Sequence, residues 1–502
     1  MKINILKTSL LLAAALSVTA CDSFLDEQPS ASSNAPITSV SQLLSLYDYA
    51  SEFNSHVQED DYVGANLTDD TGIPTDLYKA APSQFQAGSM CFYAVESSVM
   101  ATTIMNNTWS REYSKMFVAN TIITNMPSVS GTETEKNEAL CNAYFMRAWS
   151  LFKLATIYCL PYSEANRSKL GLSLRLGTLF TEDVSRCTLG ETFDQILSDL
   201  AKADELCAEQ NVPSGKAWRV SKCAVYAFYA RLYMYMNDYD KALGYADKAL
   251  ALAPALFDYN TLKWGTSQMY PAADGMPEQE IRYCETNSWN MQKIYQWKEW
   301  VFIRLQYSGL QWFIPSQQLV DSYDHDHDMR FVYFYNEHGN RRFFVPYDAY
   351  RYNPFSDGCY TISGLTTSSI MLDKAECMAR KGEWQAALQV LTPLRQARYA
   401  TGTATPLTAT TQQEALKQIL AERRREFPFA LRLMDIKRFA VSETTNDDVT
   451  IDRDFFKVTE TGIDDGTPVH ITVKGDSPKL AIPVPVLDIQ NSKGVIEQNP
   501  FE

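Results

Sequence analysis

The residues in this chain best placed to do chemistry are aromatic, and several fall close together. Trp289, Trp297, Trp300 and Trp312 are four of the nine tryptophans and lie within 24 residues, with Tyr295 and Tyr307 among them. A rigid indole face can cover the apolar C–H face of a sugar ring. Burying ~100 Å² of such a face is worth roughly 2.5 kcal/mol at ~25 cal/mol/Å². That suits capture of a multi-ring glycan by a few aromatic surfaces. A local core beneath long loops would use the same residues, and the sequence alone leaves both readings open.

Other polar constellations argue less. Asp324-His-Asp-His-Asp328 offers three carboxylates and two imidazoles, a donor set that can hold a metal. Alternation in a non-helical segment, however, sends Asp and His to opposite sides, so a solvated loop without metal is expected. Glu422-Arg-Arg-Arg-Glu426 looks basic, but its embedded acids suggest ion pairs along a helix rather than phosphate contacts. No GxGxxG, GxxxxGK[ST], HExxH, GxSxG or CxxC is present. With 60 acids in the chain, some carboxylate pair near any cleft is inevitable and does not argue for a glycosidase. The chain therefore reads as a binding protein rather than an enzyme.

Lys plus Arg is 45 against 60 Asp plus Glu, a formal charge of −15 over 502 residues, which disfavours nucleic acid as a partner. The N-terminus reads as an address. Lys2 and Lys7 precede a short apolar run, Leu10 to Val18, and then Leu16-Ser-Val-Thr-Ala-Cys21 has the form of a bacterial lipobox. Residues 1–20 are expected to be removed as a signal peptide, leaving Cys21 as a lipidated N-terminus and the charge at −17. Each buried methylene is worth ~0.8 kcal/mol, so two or three acyl chains anchor firmly. Residues 21–40, rich in Ser and acids, read as a flexible tether. The nine remaining cysteines are scattered. Cys141, Cys207, Cys223 and Cys377 fall in expected helices as small buried hydrophobes, and an odd number cannot all pair.

The elements that must position any site are helical. Residues 217–253 read as a helix pair: Ala224, Ala227 and Ala230 permit close packing, Asn237-Asp238 makes a turn, and Pro254 ends the second helix. Residues 367–399 repeat the pattern around Lys381-Gly382. A third, split pair joins 137–159 to 189–209, whose start has capping-box spacing at Thr188 and Glu191. A weaker fourth joins 39–53 to 109–126. The spacing is that of tetratricopeptide repeats, which bury their apolar faces only by stacking. Between 254 and 366 the character changes to Pro, Gly, Asn and aromatics, with strand-like runs Phe331–Tyr335 and Arg342–Val345; residues 60–100 and 440–480 are similarly irregular. The fold class expected is mostly α, a repeat scaffold with long irregular insertions and minor β, in a single domain over 41–502.

These segments, in order, resemble the SusD/RagB family of outer-membrane nutrient-binding lipoproteins. The resemblance rests on Cys21-Asp-Ser-Phe-Leu-Asp-Glu27, Trp109 to Asn120, Tyr144-Phe-Met-Arg-Ala-Trp149 ending at Pro161, and the repeat at 220–250. It continues with Phe313 to Tyr323 and Asp328-Met-Arg330, Glu422 to Glu426, Asp435-Ile-Lys-Arg438, Ile482-Pro483 and Gln498-Asn-Pro500. Where the family usually has Glu-Gly-x-Arg-Trp, this chain has Phe429-Ala-Leu-Arg432-Leu433, a divergent version.

The resemblance implies a non-catalytic lipoprotein of the cell surface and outer membrane that captures an oligosaccharide and delivers it to a SusC-like TonB-dependent transporter. It implies no cofactor beyond the lipid on Cys21. Peptide uptake by the same kind of protein, or a repeat adaptor that binds only protein, are the alternatives. Trp109 and Trp312 fall on family motifs and are expected in the core. Trp289, Tyr295, Trp297 and Trp300 are the expected ligand contacts, with Tyr78 and Asp69 from the early loop.

Overall fold

The structure, a computed structural model, describes residues 36–48, 57–59, 62–272, 276–307, 313–444 and 446–501. The expected signal peptide, Cys21, most of the expected tether and Trp312 lie outside the described residues. Helix dominates at about 48%, with 16% strand in small sheets. The longer helices are α1 (Val40–Tyr47), α2 (Thr108–Asn125), α3 (Glu133–Tyr158), α4 (Leu189–Leu206), α5 (Lys222–Tyr235), α6 (Tyr239–Leu250), α7 (Thr367–Arg380), α8 (Trp384–Val390), α9 (Gln412–Glu426) and α10 (Arg432–Phe439).

Side chains decide where these helices begin. Ser39, Thr132, Thr188 and Thr366 each accept from the N3 backbone N–H of a capping box, closing α1, α3, α4 and α7. Between α5 and α6 the chain turns on Asn237 at φ +58°, a left-handed conformation asparagine tolerates, and Asp238 caps α6 through Lys241 N–H. Gly382 at φ +91° makes the matching turn between α7 and α8. The helix after α7 is shorter than its pattern suggests: it stops at Leu391, and Pro393 opens a separate helix, Thr392–Arg398.

The helices stack in series. α1 lies on α2 and α3; α3 packs against α4, α5 against α6, and α7 against α8 and α9. Residues 254–366 loop out between α6 and α7, and α7 returns to pack on α5 and α6, so the two repeat pairs are neighbours in space. Ala224, Ala227 and Ala230 of α5 and Ala242, Ala246 and Ala249 of α6 are fully buried, and their small side chains let the backbones approach. One apolar cluster runs from Val57 to Ile496, with a smaller one under α1.

Much of the rest of the interior is ionic. The run on α9 is its hub. Glu422 meets Arg330 and Arg395 at 2.7 and 2.6 Å. Arg423 meets Asp373 and Asp435 at 2.6 and 2.8 Å. Arg424 meets Asp70 at 2.6 Å, Arg425 folds back on Glu422 at 2.8 Å, and Glu426 meets Arg398 and Arg330 at 2.7 and 2.9 Å. The pairs run mostly to other elements rather than along the helix. The C-terminal tail is sewn to the end of α3: Asn499 donates to the carbonyls of Tyr158 and Ile482, both at 2.7 Å.

Three irregular stretches differ from expectation. Of Phe331–Tyr335 only Tyr335 enters a strand, the two-residue Tyr335–Asn336: the buried Asp328 carboxylate caps a short helix, Met329–Phe334, and accepts from Arg330 at 2.7 Å. Arg342–Val345 lies on a 3₁₀ turn, Gly339–Phe343, and its exit. Residues 440–480 contain a long antiparallel hairpin, whose Phe455 and Phe456 reach the core under the early loop. In the insertion, β1 (Trp264–Tyr270) and β2 (Gln279–Cys284) form a second hairpin, and the C-terminal one is β3 (Thr450–Thr459) with β4 (Gly462–Lys474).

Candidate functional site

The expected ligand contacts separate into two groups. Trp297 and Trp300 are 5% and 2% exposed and sit edge to face at 4.9 Å. The Trp300 indole N–H donates to Ile294 O at 2.8 Å, and its strand pairs with Leu365-Thr366. A stacking platform needs an open face, and neither ring has one, so both are reassigned to the core. Tyr78 is likewise buried, against Phe456 at 5.3 Å and Phe455 at 5.7 Å. Asp69 is committed to a bidentate pair with Arg432, both contacts at 2.7 Å, and to Arg424 at 3.2 Å. Burial raises its carboxyl, but Arg432 and Arg424 outweigh that and hold it down at about 2. It is a structural anchor in this fold. Trp289 and Tyr295 remain half-buried, Trp289 stacked on Phe355 at 6.0 Å and Tyr295 against Trp218 at 5.2 Å. Trp109, at 3% exposure, is core.

The histidine-acid run also resolves residue by residue. His325 lies flat on Phe331, rings 4.0 Å apart, while its Nε2 contacts Val320 O at 3.0 Å. His327 turns to Asp324, and Asp328 is wholly buried. Among the described residues no group of three or more His, Cys, Asp or Glu side chains is gathered for a metal, and no helix is long and apolar enough to cross a membrane.

What the insertion presents to solvent is built around the turn Glu285–Ser288. Gly265 of β1 lies so close that a Cβ there would meet Glu285 Cα at 3.0 Å, which brings hairpin and turn together. On the hairpin side, the partly exposed Trp264 ring carries the Arg282 guanidinium 4.5 Å from its centroid and Tyr333 at 5.0 Å. On the other side lies Trp289 over Phe355. A relay of amides joins the two: Asn287 donates to Asn353 at 2.9 Å, Asn353 to Asn336 at 3.0 Å, and Asn336 to Arg282 O at 2.9 Å. Loop 356–358 is held on the turn by Ser356 N–H to Thr286 O and Asp357 N–H to Asn287 O. Its three residues all have positive φ, 47°, 54° and 69°, and it presents Asp357 to Arg342 at 3.3 Å. Phe344 ends the neighbouring 3₁₀ turn at φ +56° and is 86% exposed. A bulky residue in that conformation costs about 1–3 kcal/mol, a strain that collects at binding sites.

The arrangement combines apolar ring faces with planar, outward-reaching guanidinium and carboxylate groups. Such surfaces accept the C–H faces of a sugar and hydrogen-bond its hydroxyls. Trp264, Arg282, Tyr333 and Phe344 escaped sequence reasoning. Trp264 lies 25 residues before Trp289, outside the dense cluster, and Phe344 sat in a run that looked like a strand. The Trp264-Gly265 step, an aromatic beside a residue permitting close approach, was the usable signal.

A family model described as starch-binding associating with outer membrane matches residues 23–234, and a second, described as SusD family, matches residues 367–501. Comparison with curated proteins gives no match. Among solved structures, a SusD superfamily protein from Bacteroides thetaiotaomicron superposes with a TM-score of 0.67 at 17% identity, over 92% of this chain and 100% of that one. A putative sugar binding protein from Bacteroides vulgatus gives 0.64 at 18% identity, over 93% and 99%. A laminarin binding SusD-like protein gives 0.58 at 16% identity, over 92% and 98%. At these identities the structural likeness carries the fold, and the two family matches, at the two ends of the chain, carry the kinship. The chain belongs to the SusD/RagB family.

Proposed function

We propose that this protein binds an oligosaccharide, without cleaving it, on the surface formed by Trp264, Arg282, Tyr333, Trp289, Phe344 and the Arg342–Asp357 pair. It then hands the glycan to a SusC-like TonB-dependent transporter. A lipid on Cys21 holds it on the outer membrane, and residues 22–40 give the domain its reach. The observation that carries the binding reading is the partly exposed Trp264 ring with the Arg282 guanidinium 4.5 Å from its centroid. The surface lies on a rigid turn, and rigid aromatics lose little entropy on binding. The family match and the sugar-binding descriptions of structural relatives support the choice of a glycan over a peptide.

Affinity electrophoresis against a panel of neutral glycans tests it. Retardation by at least one glycan, lost in Trp264→Ala, is the expected result. No retardation by any glycan, with peptides binding instead, overturns the sugar reading. Turnover of a retained glycan by the purified protein overturns the non-catalytic part. Co-purification of a barrel transporter with the tagged full chain is expected for the delivery step.

A further inference from the structure

One cation on the aromatic surface has no anion. Arg282 lies on β2 between Ile281 and Tyr283, which are buried, so strand alternation turns its side chain outwards. Trp264 pairs with Cys284, two residues along the same strand. That diagonal relation lets the Arg282 guanidinium lie 4.5 Å from the Trp264 ring centroid. The backbone beneath is fixed as well, since the Arg282 carbonyl accepts from Asn336 at 2.9 Å. Tyr333 meets the same indole at 5.0 Å and donates its hydroxyl to Leu262 O at 2.9 Å. The guanidinium is thus placed before any ligand arrives, which lowers the entropy lost on binding.

The chain has 60 acids against 45 bases, yet the carboxylates on this face are engaged elsewhere. Glu285 accepts the Lys263 backbone N–H at 3.2 Å, and Asp357 meets Arg342 at 3.3 Å. Among the described residues no carboxylate pairs with Arg282, nor with the exposed Lys263 ammonium next in sequence to Trp264. The arginines of α9 differ: Arg423, Arg424 and Arg425 each meet an acid. An open planar fork of N–H donors beside an aromatic face matches a carboxylate through two parallel hydrogen bonds. A neutral sugar on Trp264 would offer that fork only hydroxyls. The overall charge of −15 opposes such a ligand weakly, because distant acids are screened beyond about 8 Å at physiological salt.

We propose that the glycan bound here is acidic: a uronic acid unit covers Trp264 and pairs its carboxylate with Arg282, while Lys263 adds to the local positive field. This rests on the glycan-binding reading and narrows it to a substrate class. Neutral glycans bind the same surface more weakly, through ring contacts and hydroxyls alone.

Calorimetric titration of the purified full chain tests it with matched pairs. Oligogalacturonates are compared with their methyl esters, which keep the ring and lose the charge. Glucuronoxylan oligomers are compared with unsubstituted xylan oligomers, and sulfated galactan oligomers serve as a second kind of anion. At least one uronate member should bind about 3- to 10-fold tighter than its neutral counterpart. That preference should shrink as salt is raised. Arg282→Gln should abolish the preference at an unchanged melting temperature, and Arg282→Lys, which keeps the charge but not the fork, should restore only part of it. Neutral members binding as tightly as their uronate counterparts overturns this proposal and leaves the glycan reading standing. A preference that survives Arg282→Gln, or sulfated oligomers binding better than uronates, overturns it too. No glycan binding at all overturns both. Should the variants not fold, the wild-type pairs and their salt dependence decide alone.

Discussion

The Asp70 carboxylate accepts the backbone N–H of Phe429 at 2.8 Å, and Phe429 sits at φ +66°. A phenylalanine in the left-handed region is strained, and the surroundings must impose it. Asp70 is fully buried, and its other oxygen takes Arg424 Nε at 2.6 Å. The Phe429 ring stacks on Phe313 at 4.8 Å. Next door, Asp69 grips Arg432. The divergent corner between α9 and α10 is thus shaped by two aspartates from the early loop, more than 350 residues away.

Asp70→Ala should therefore be strongly destabilising. It takes the acceptor from Arg424 Nε and from the Phe429 N–H in a buried corner while Asp69 still meets Arg424, a loss of about 1–3 kcal/mol for each orphaned donor. A lower urea midpoint with an unchanged m-value would confirm it. Wild-type stability would show that the corner adapts.

Arg398 lies fully buried between Glu299 and Glu426, at 2.9 and 2.7 Å. Arg398→Ala leaves two carboxylates facing each other in the interior, and should cost about 3–5 kcal/mol. Adding Glu299→Gln should recover part of that loss, read from the same denaturation curves.

Acid should unfold the protein through these networks. Burial raises Glu376, but Arg438 and Arg380 bring it down to about 2; Lys153 and Lys115 do the same for Glu59, and Arg432 for Asp69. Their ordinary values are 4.5, 4.5 and 3.8, so as pH falls the unfolded chain takes up protons first. The stability they contribute is complete above those ordinary values and is lost as pH falls towards 2. Urea midpoints across a pH series should show no contribution from these groups to any slope above about pH 5 and a steep decline below it.

Two tryptophans should respond oppositely to truncation. Trp264→Ala should weaken glycan binding by roughly 5- to 30-fold, about 1–2 kcal/mol, at an unchanged melting temperature. Trp300→Ala should lower stability by about 3–5 kcal/mol. Calorimetric titration paired with thermal melts separates the two effects.

The repeat helices were legible in the sequence because local signals agreed: small residues at helical spacing in 224–230, cap pairs such as Thr188 and Glu191, and turn residues Asn237 and Gly382. The insertion was not, because distant partners decide it. Tryptophan density located the segment but could not distinguish Trp297 and Trp300, buried edge to face with Phe355 against Trp297, from Trp264, left open on a two-stranded hairpin. Phe331–Tyr335 has strand-like residues, yet one buried cap, Asp328, makes most of it a helix. Asp69 looked like a free loop carboxylate because its partner, Arg432, lies 363 residues on.

The charge order on α9 has a consequence for how that helix can be seated. A slip of one residue turns an α-helix by about 100°. Moved one way, Arg423 would face Arg330 and Arg395 where Glu422 belongs, and Phe427 would stand where Glu426 meets Arg398. Moved the other way, Glu422 would face Asp373 and Asp435, and Arg425 would face Arg398 and Arg330. Both misplacements set like charges against each other away from water. A purely apolar helix face would tolerate neighbouring registers with modest loss, whereas this one admits a single register. Substitutions in the run should thus weaken the fold by degrees, while deleting one residue from α9 should abolish it.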